Sequence, residues 1–129
     1  MKVKTVVGFY EDVYLNGRLV RAKIDTGAGV SSVDEDLAIL LKLGPVIGEA
    51  KVISSHGSGY RPVVIANVII AGRGIDAKFN VVSRKSLRYP LLIGKNILRK
   101  GFLIDSGKKL KKQRKKIIKN SRDLISVKL

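Results

Sequence analysis

Residues 22–33 read Ala-Lys-Ile-Asp-Thr-Gly-Ala-Gly-Val-Ser-Ser-Val, and they hold the side chains best placed to do chemistry. An apolar strand delivers Asp25 at its end, where a carboxylate can be exposed while its backbone stays anchored. Gly27 lets the chain turn tightly and brings a backbone N–H to the carboxylate. The Thr26 hydroxyl can bond backbone groups and brace the loop. Ala28 and Gly29 are small and leave room for a second carboxylate beside the first. Two carboxylates about 3 Å apart share a proton, so one can activate a water while the other polarises a carbonyl. Asp76 and Asp105 are read as lacking such a loop, which leaves one suitable carboxylate per chain. A two-fold homodimer that sets two Asp25 loops face to face is then the economical arrangement.

The segments around this loop must hold it. Val3 to Tyr10 reads as a β-branched strand. Val13–Leu15, Asn16-Gly17 and Arg18–Ile24 form a hairpin signature, with Asn-Gly suited to a type I′ turn. After the loop, 34–43 reads as a short helix with Asp34 as its cap and Gly44-Pro45 as its stop. Its three acids, Asp34, Glu35 and Asp36, are read as complements to the helix dipole rather than a metal cluster. Residues 50–65 form a second hairpin with a His56-Gly57-Ser58-Gly59 tip, either an ordinary loop or a flap. Ala71-Gly72-Arg73-Gly74 is a turn whose Gly-x-Gly lacks the rest of a phosphate-binding fingerprint. Residues 89–105 read as an apolar strand, Gly94, a short amphipathic helix and a closing strand.

Composition bounds the rest. The chain has 129 residues, 45% hydrophobic and only 5% aromatic, so its core must be built from Val, Ile and Leu, which favours strands. There is no cysteine and a single histidine, His56. That excludes a disulfide framework and a thiolate nucleophile, and argues against a catalytic zinc site, which draws three ligands from His, Cys or carboxylates. No metal and no cofactor are expected. No apolar run approaches the ~18–20 residues of a membrane span, and a cytoplasmic protein is expected. The net charge is +16, and residues 108–129 hold ten Lys or Arg against one Asp, a net +9. The expected division is a domain over 1–106 and a basic tail over 107–129. Leu110, Ile117/Ile118 and Leu124/Ile125 recur near a seven-residue period, which predicts a basic helix with a thin apolar stripe. Such a tail could dock RNA or a ribosome, an anionic membrane or an acidic partner, or pack on the domain or its dimer mate.

The Asp25-Thr26-Gly27-Ala28 loop together with Ile93-Gly94-Lys95-Asn96 resembles the retropepsin-like, or retroviral-type, aspartic proteases. The resemblance spans residues 1–106. It is nearer to the cellular branch that carries the label of ATP-dependent zinc proteases, through 22–32, 54–64 with Arg61-Pro62-Val63-Val64, and 89–105. The resemblance implies an all-β, single-lobe acid-protease barrel with short helices, active as a homodimer on a peptide or protein. It implies Asp25, Thr26 and Gly27 as catalytic residues, each Thr26 bracing the partner's loop. Ala28, Gly29, His56, Gly57, Ser58, Gly59 and Arg61 are implied as substrate-binding, the hairpin closing over an extended peptide and adding backbone bonds to it. The basic cleft, with Arg61, Arg88 and Lys95, would suit acidic or glutamate-rich peptides. Viral members have an Asp and an Arg where this chain has Gly29 and Lys95, so substrate contacts should differ. The competing reading is a retropepsin-fold binding module that cleaves nothing and meets RNA or ribosome through residues 108–129.

Overall fold

The computed structural model describes residues 3–54, 57–83, 88–120 and 122–124. The order of elements is β1 (Thr5–Val7), β2 (Tyr10–Leu15), β3 (Arg18–Ile24), β4 (Ser31–Asp34), α1 (Glu35–Leu40), β5 (Val46–Ser54), β6 (Gly57–Ile70), β7 (Arg73–Val82), β8 (Leu91–Ile93), α2 (Lys95–Leu98) and β9 (Phe102–Ile104). Strands β2-β3-β8-β4-β7-β6 are neighbours in that order, and β6 also pairs with β2 through Tyr14↔Ile69 and Leu15↔Val68. This last pairing closes a six-stranded barrel, so the expected all-β class holds. β5 hangs on the outer edge of β6, and β1 pairs with β9 in a separate two-stranded parallel sheet.

The turns follow the sequence closely. Asn16 and Gly17 both have positive φ, 45° and 85°, which keeps the β2–β3 hairpin in its Tyr14↔Leu19 register. Alternation along β6 and β7 sends Val64, Ala66, Val68 and Ile70 inward with Ile75, Ala77 and Phe79. The core is otherwise aliphatic: Val13, Leu15, Val20, Val33, Leu37, Leu91, Ile93 and Ile97 are fully buried. Asp34 caps α1, its carboxylate accepting from the Asp36 and Leu37 amides at 3.0 and 3.3 Å. That is the capping role expected of the acid cluster.

Three expectations are corrected. The strand predicted from Val3 to Tyr10 is broken, because Gly8 donates its N–H to the Glu11 carboxylate at 2.7 Å and the chain bends at Phe9. The first helix ends at Leu40, with Lys42 at φ 53°, before the Gly-Pro pair. The helix predicted over the tail is confined, among the described residues, to 122–124. Residues 108–120 instead form an irregular strap across the barrel. Helical spacing would stack Lys108 on Lys112, Lys111 on Lys115 and Lys115 on Lys119, each pair repelling. The open edge of β3 offers unpaired backbone groups in exchange. Ile118 accepts from the Arg21 amide at 2.8 Å and donates to the Leu19 carbonyl at 3.0 Å. Ile118 and Leu124 are buried in the core. The strap is also tied by Lys108, 3.0 Å from Glu11, and by Lys115, which donates to the Tyr14 hydroxyl.

Candidate active site

The Asp25 loop joins β3 to β4, yet these two strands are not neighbours. β8 lies between them, parallel to β3 (Ile24↔Ile93) and antiparallel to β4 (Val33↔Leu91). The loop is therefore draped over the end of a buried strand. The Asp25 amide donates to the Ile93 carbonyl at 2.9 Å, which fixes the backbone where the carboxylate begins. The Gly27 amide donates to Asp25 Oδ1 at 2.8 Å and aims the carboxylate, as the sequence leads one to expect. Asp25 is half-buried, while Thr26 and Gly27 are exposed.

A clamp from α2 completes the frame. The Lys95 and Asn96 amides donate to the Ala28 and Gly29 carbonyls at 2.8 and 3.0 Å. The Asn96 side-chain oxygen accepts from both the Ser31 amide (2.9 Å) and the Ser31 hydroxyl (2.8 Å), and its amide nitrogen donates to the Lys78 carbonyl. The Ser31 hydroxyl in turn accepts from the Gly94 amide. At Gly94 a Cβ would stand 2.9 Å from the Ala28 oxygen and 2.9 Å from the Val30 carbonyl carbon, so only glycine admits this approach. With glycine at 29 and lysine at 95, no side-chain ion pair can span those two positions. Backbone hydrogen bonds and Asn96 hold the loop instead. Asn96 and the buried Ser31 were absent from the expected site residues; their signal was present only as Gly-Lys-Asn and Ser-Ser, 65 residues apart.

The Thr26 hydroxyl makes no hydrogen bond among the described residues, so within one chain it does not brace the loop as expected. The hairpin is real: β5 and β6 pair from Val46↔Val64 to Ser54↔Gly57. β6 meets β7 only from Val63 onward, so residues 57–62 are paired to β5 alone and project past the barrel. Gly57, Ser58 and Gly59 are exposed and Arg61 is half-buried on this distal part. His56, expected at the tip, lies outside the described residues, as does the Ser55 before it. The hairpin base and Val30, at the end of the Asp25 loop, share a cavity of about 280 Å3, lined also by Ile47, Gly48, Glu49, Ala50, Val63, Lys78 and Asn80. None of the four described tip residues lines it, so the structure does not bring them to the loop within one chain.

One reading of the acids is corrected. Residues 105–107 are Asp-Ser-Gly, and they do form a turn like that at Asp25. The Gly107 amide donates to Asp105 Oδ1 at 2.9 Å, and the Asp105 amide donates to the Val7 carbonyl of a parallel neighbour at 2.8 Å. Asp76 has no such turn and accepts from the Asn67 side chain at 3.0 Å. Near the β2–β3 hairpin, Asp12 holds Arg21 through bonds of 2.9 and 3.2 Å. Those hydrogen bonds raise the Arg21 pKa above its ordinary value, against the opposing effect of burial. This pair is structural and stands apart from the loop. Among the described residues no three of His, Cys, Asp or Glu gather as metal ligands. Nor is any helix there long and apolar enough to cross a membrane.

No family model matches the chain, and no curated relative matches it. Solved structures do. A protein of unknown function (DUF785) from Legionella pneumophila is 22% identical, with TM-score 0.59, over 82% of this chain and 96% of its own. The protease of simian foamy virus is 20% identical, with TM-score 0.55, over 70% and 91%. The EIAV protease, solved with the inhibitor HBY-793, is 18% identical, with TM-score 0.59, over 77% and 88%. At such identities the likeness establishes the architecture and nothing finer: the chain has the retropepsin-like, all-β acid-protease fold.

Proposed function

We propose that the protein is an aspartic endopeptidase whose active form is a homodimer, with Asp25 from each protomer forming the dyad. The observation that carries this reading is the aimed Asp25 carboxylate, held by Gly27 at 2.8 Å on a loop clamped from beneath by Gly94 and Asn96. A carboxylate used only to close a turn does not need a buried strand and a second helix to fix it. In the dimer one Asp25 takes a proton from water as the water attacks the scissile carbonyl, and the other, protonated, donates to the carbonyl oxygen. Thr26, whose hydroxyl has no hydrogen-bond partner among the described residues, would bond the neighbouring loop. Ala28 and Gly29 flank an extended substrate, the Gly29 N–H being the backbone donor that the loop and α2 leave for it, and the projecting hairpin with Gly57–Gly59 and Arg61 folds over it. The net positive charge favours acidic or glutamate-rich peptides, and the cytoplasm is the proposed place of action.

The test is cleavage of an acidic peptide library, including poly-glutamate-tailed peptides, by wild type and Asp25→Asn, with sedimentation to follow the dimer. Cleavage by wild type alone is the expected result. Cleavage by neither, from a stable dimer, would sink the proposal.

The strap favours a second reading, in which the fold serves as a binding module for RNA or ribosome. Lys109, Lys111, Lys112, Arg114 and Lys116 are exposed on a segment anchored at Ile118. Deleting the strap would remove core residues, so neutralisation is the cleaner probe. Replacing Lys111, Lys112, Arg114 and Lys116 by Gln should weaken RNA binding and flatten its salt dependence if this reading holds.

A further inference from the structure

A cleft of about 620 Å3 is lined by Val3, Lys4, Arg73, Arg99, Lys100 and Gly101. Three stretches distant in sequence build it: the N-terminal segment, the start of β7 and the end of α2. They bring four cations together and no carboxylate. The cavity beneath the strap is different, since there Lys108, Lys109 and Lys111 face Glu11 and Asp12, and Lys108 is paired to Glu11. Among the described residues, none of Lys4, Arg73, Arg99 and Lys100 is within ion-pair distance of an acid. Converging like charges repel, and a bound anion is what offsets them.

Arg73 is also fixed in place. Its guanidinium lies 4.9 Å over the Phe102 ring and donates to the Gly101 carbonyl at 3.3 Å. Gly101 has φ 98°, a left-handed conformation that favours glycine, and it leaves the same Nη1 room to approach: a Cβ there would stand 3.0 Å from it. A guanidinium held on one side keeps its other N–H groups in a set direction, which suits recognition of a tetrahedral oxyanion.

We propose that this cleft is a binding site for a compact polyphosphate group. Adjacent phosphates concentrate several negative charges within a few ångströms, which peptide carboxylates, one per side chain, do not. The site shares no residue with the Asp25 loop, so its failure and that of the protease reading are separate events.

The experiment is a titration of the full chain with inorganic pyrophosphate at fixed ionic strength, followed by amide NMR shifts, and then with ADP. Shifts at 4, 73 and 99–101 are expected. Tighter binding of ADP would identify a nucleotide as the carrier; equal binding would identify a free polyphosphate. The exposed pair Arg99→Glu and Lys100→Glu should weaken binding about tenfold or more, whereas Lys111→Glu with Lys112→Glu on the strap should change it by less than about twofold. Shifts confined to 108–119, no shifts at all, or the reverse order of the two variants would overturn the proposal. So would a tri-glutamate peptide that binds as tightly as pyrophosphate.

Discussion

Asp25-Thr26-Gly27 and Asp105-Ser106-Gly107 are built alike and supported differently. Each follows an apolar strand ending in Ile. Each accepts its own glycine amide, at 2.8 and 2.9 Å, and each sends its Asp amide to the last carbonyl of a parallel neighbour, Ile93 or Val7. The difference lies underneath and after. Beneath Asp25 runs the buried β8, and α2 with its cap Gly94 returns four hydrogen-bonding groups to the loop and to Ser31 after it. Asp105 is exposed at the rim of a two-stranded sheet, and its turn hands the chain to Lys108, which bonds Glu11 and the Val6 carbonyl. One turn is clamped over a buried strand; the other steers a strap. Three letters specify a turn, and the packing below decides how the turn is held.

The largest expected effect tests this contrast directly. Asparagine can still accept the glycine amide, so Asp25→Asn and Asp105→Asn should both keep their turns and differ only in chemistry. On the protease reading, Asp25→Asn lowers peptide hydrolysis roughly a thousandfold or more, and Asp105→Asn leaves it unchanged. Equal losses would erase the distinction. The next effect is on stability. Gly94→Ala drives a methyl against backbone at 2.9 Å, with no flexible side chain to yield, and should cost about 3 kcal/mol in urea unfolding. Asn96→Ala leaves the buried Ser31 amide and hydroxyl without their acceptor, for a loss of about 2 kcal/mol.

Much of the frame was legible in the sequence because it is local. Asn16-Gly17 dictates its hairpin, Asp34 its helix cap, and Ala71–Gly74 the turn between β6 and β7. The hairpin of β5 and β6 was readable from its glycines. What escaped needed long-range geometry. The partnership of Ser31 with Asn96 spans 65 residues and leaves no periodic trace. The strap was misread because the period of Leu110, Ile117/Ile118 and Leu124/Ile125 is compatible with a helix. The deciding facts, repulsion between stacked lysines and an open edge on β3, belong to other parts of the chain. Asp105 was set aside as loop-less, although its own next two residues build the loop; what it truly lacks is a strand like β8, and no local pattern announces that.

The smallest effects sharpen the comparison most. At Gly107 a Cβ would meet Asp105 Oδ1 at 3.4 Å, an ordinary contact, and at Gly27 it would meet Asp25 Oδ1 at 3.2 Å, a tighter one. Gly107→Ala should therefore unfold within about 0.5 kcal/mol of wild type, as surface changes usually do. Ser106→Thr makes the second turn read Asp-Thr-Gly, letter for letter the same as the first. Placed in the Asp25→Asn background, it should restore no hydrolysis at all, because Asp105 still has no α2 clamp and no buried strand beneath it. Recovered cleavage would show that the letters carry the chemistry and that the clamp from Gly94 and Asn96 is only scaffolding.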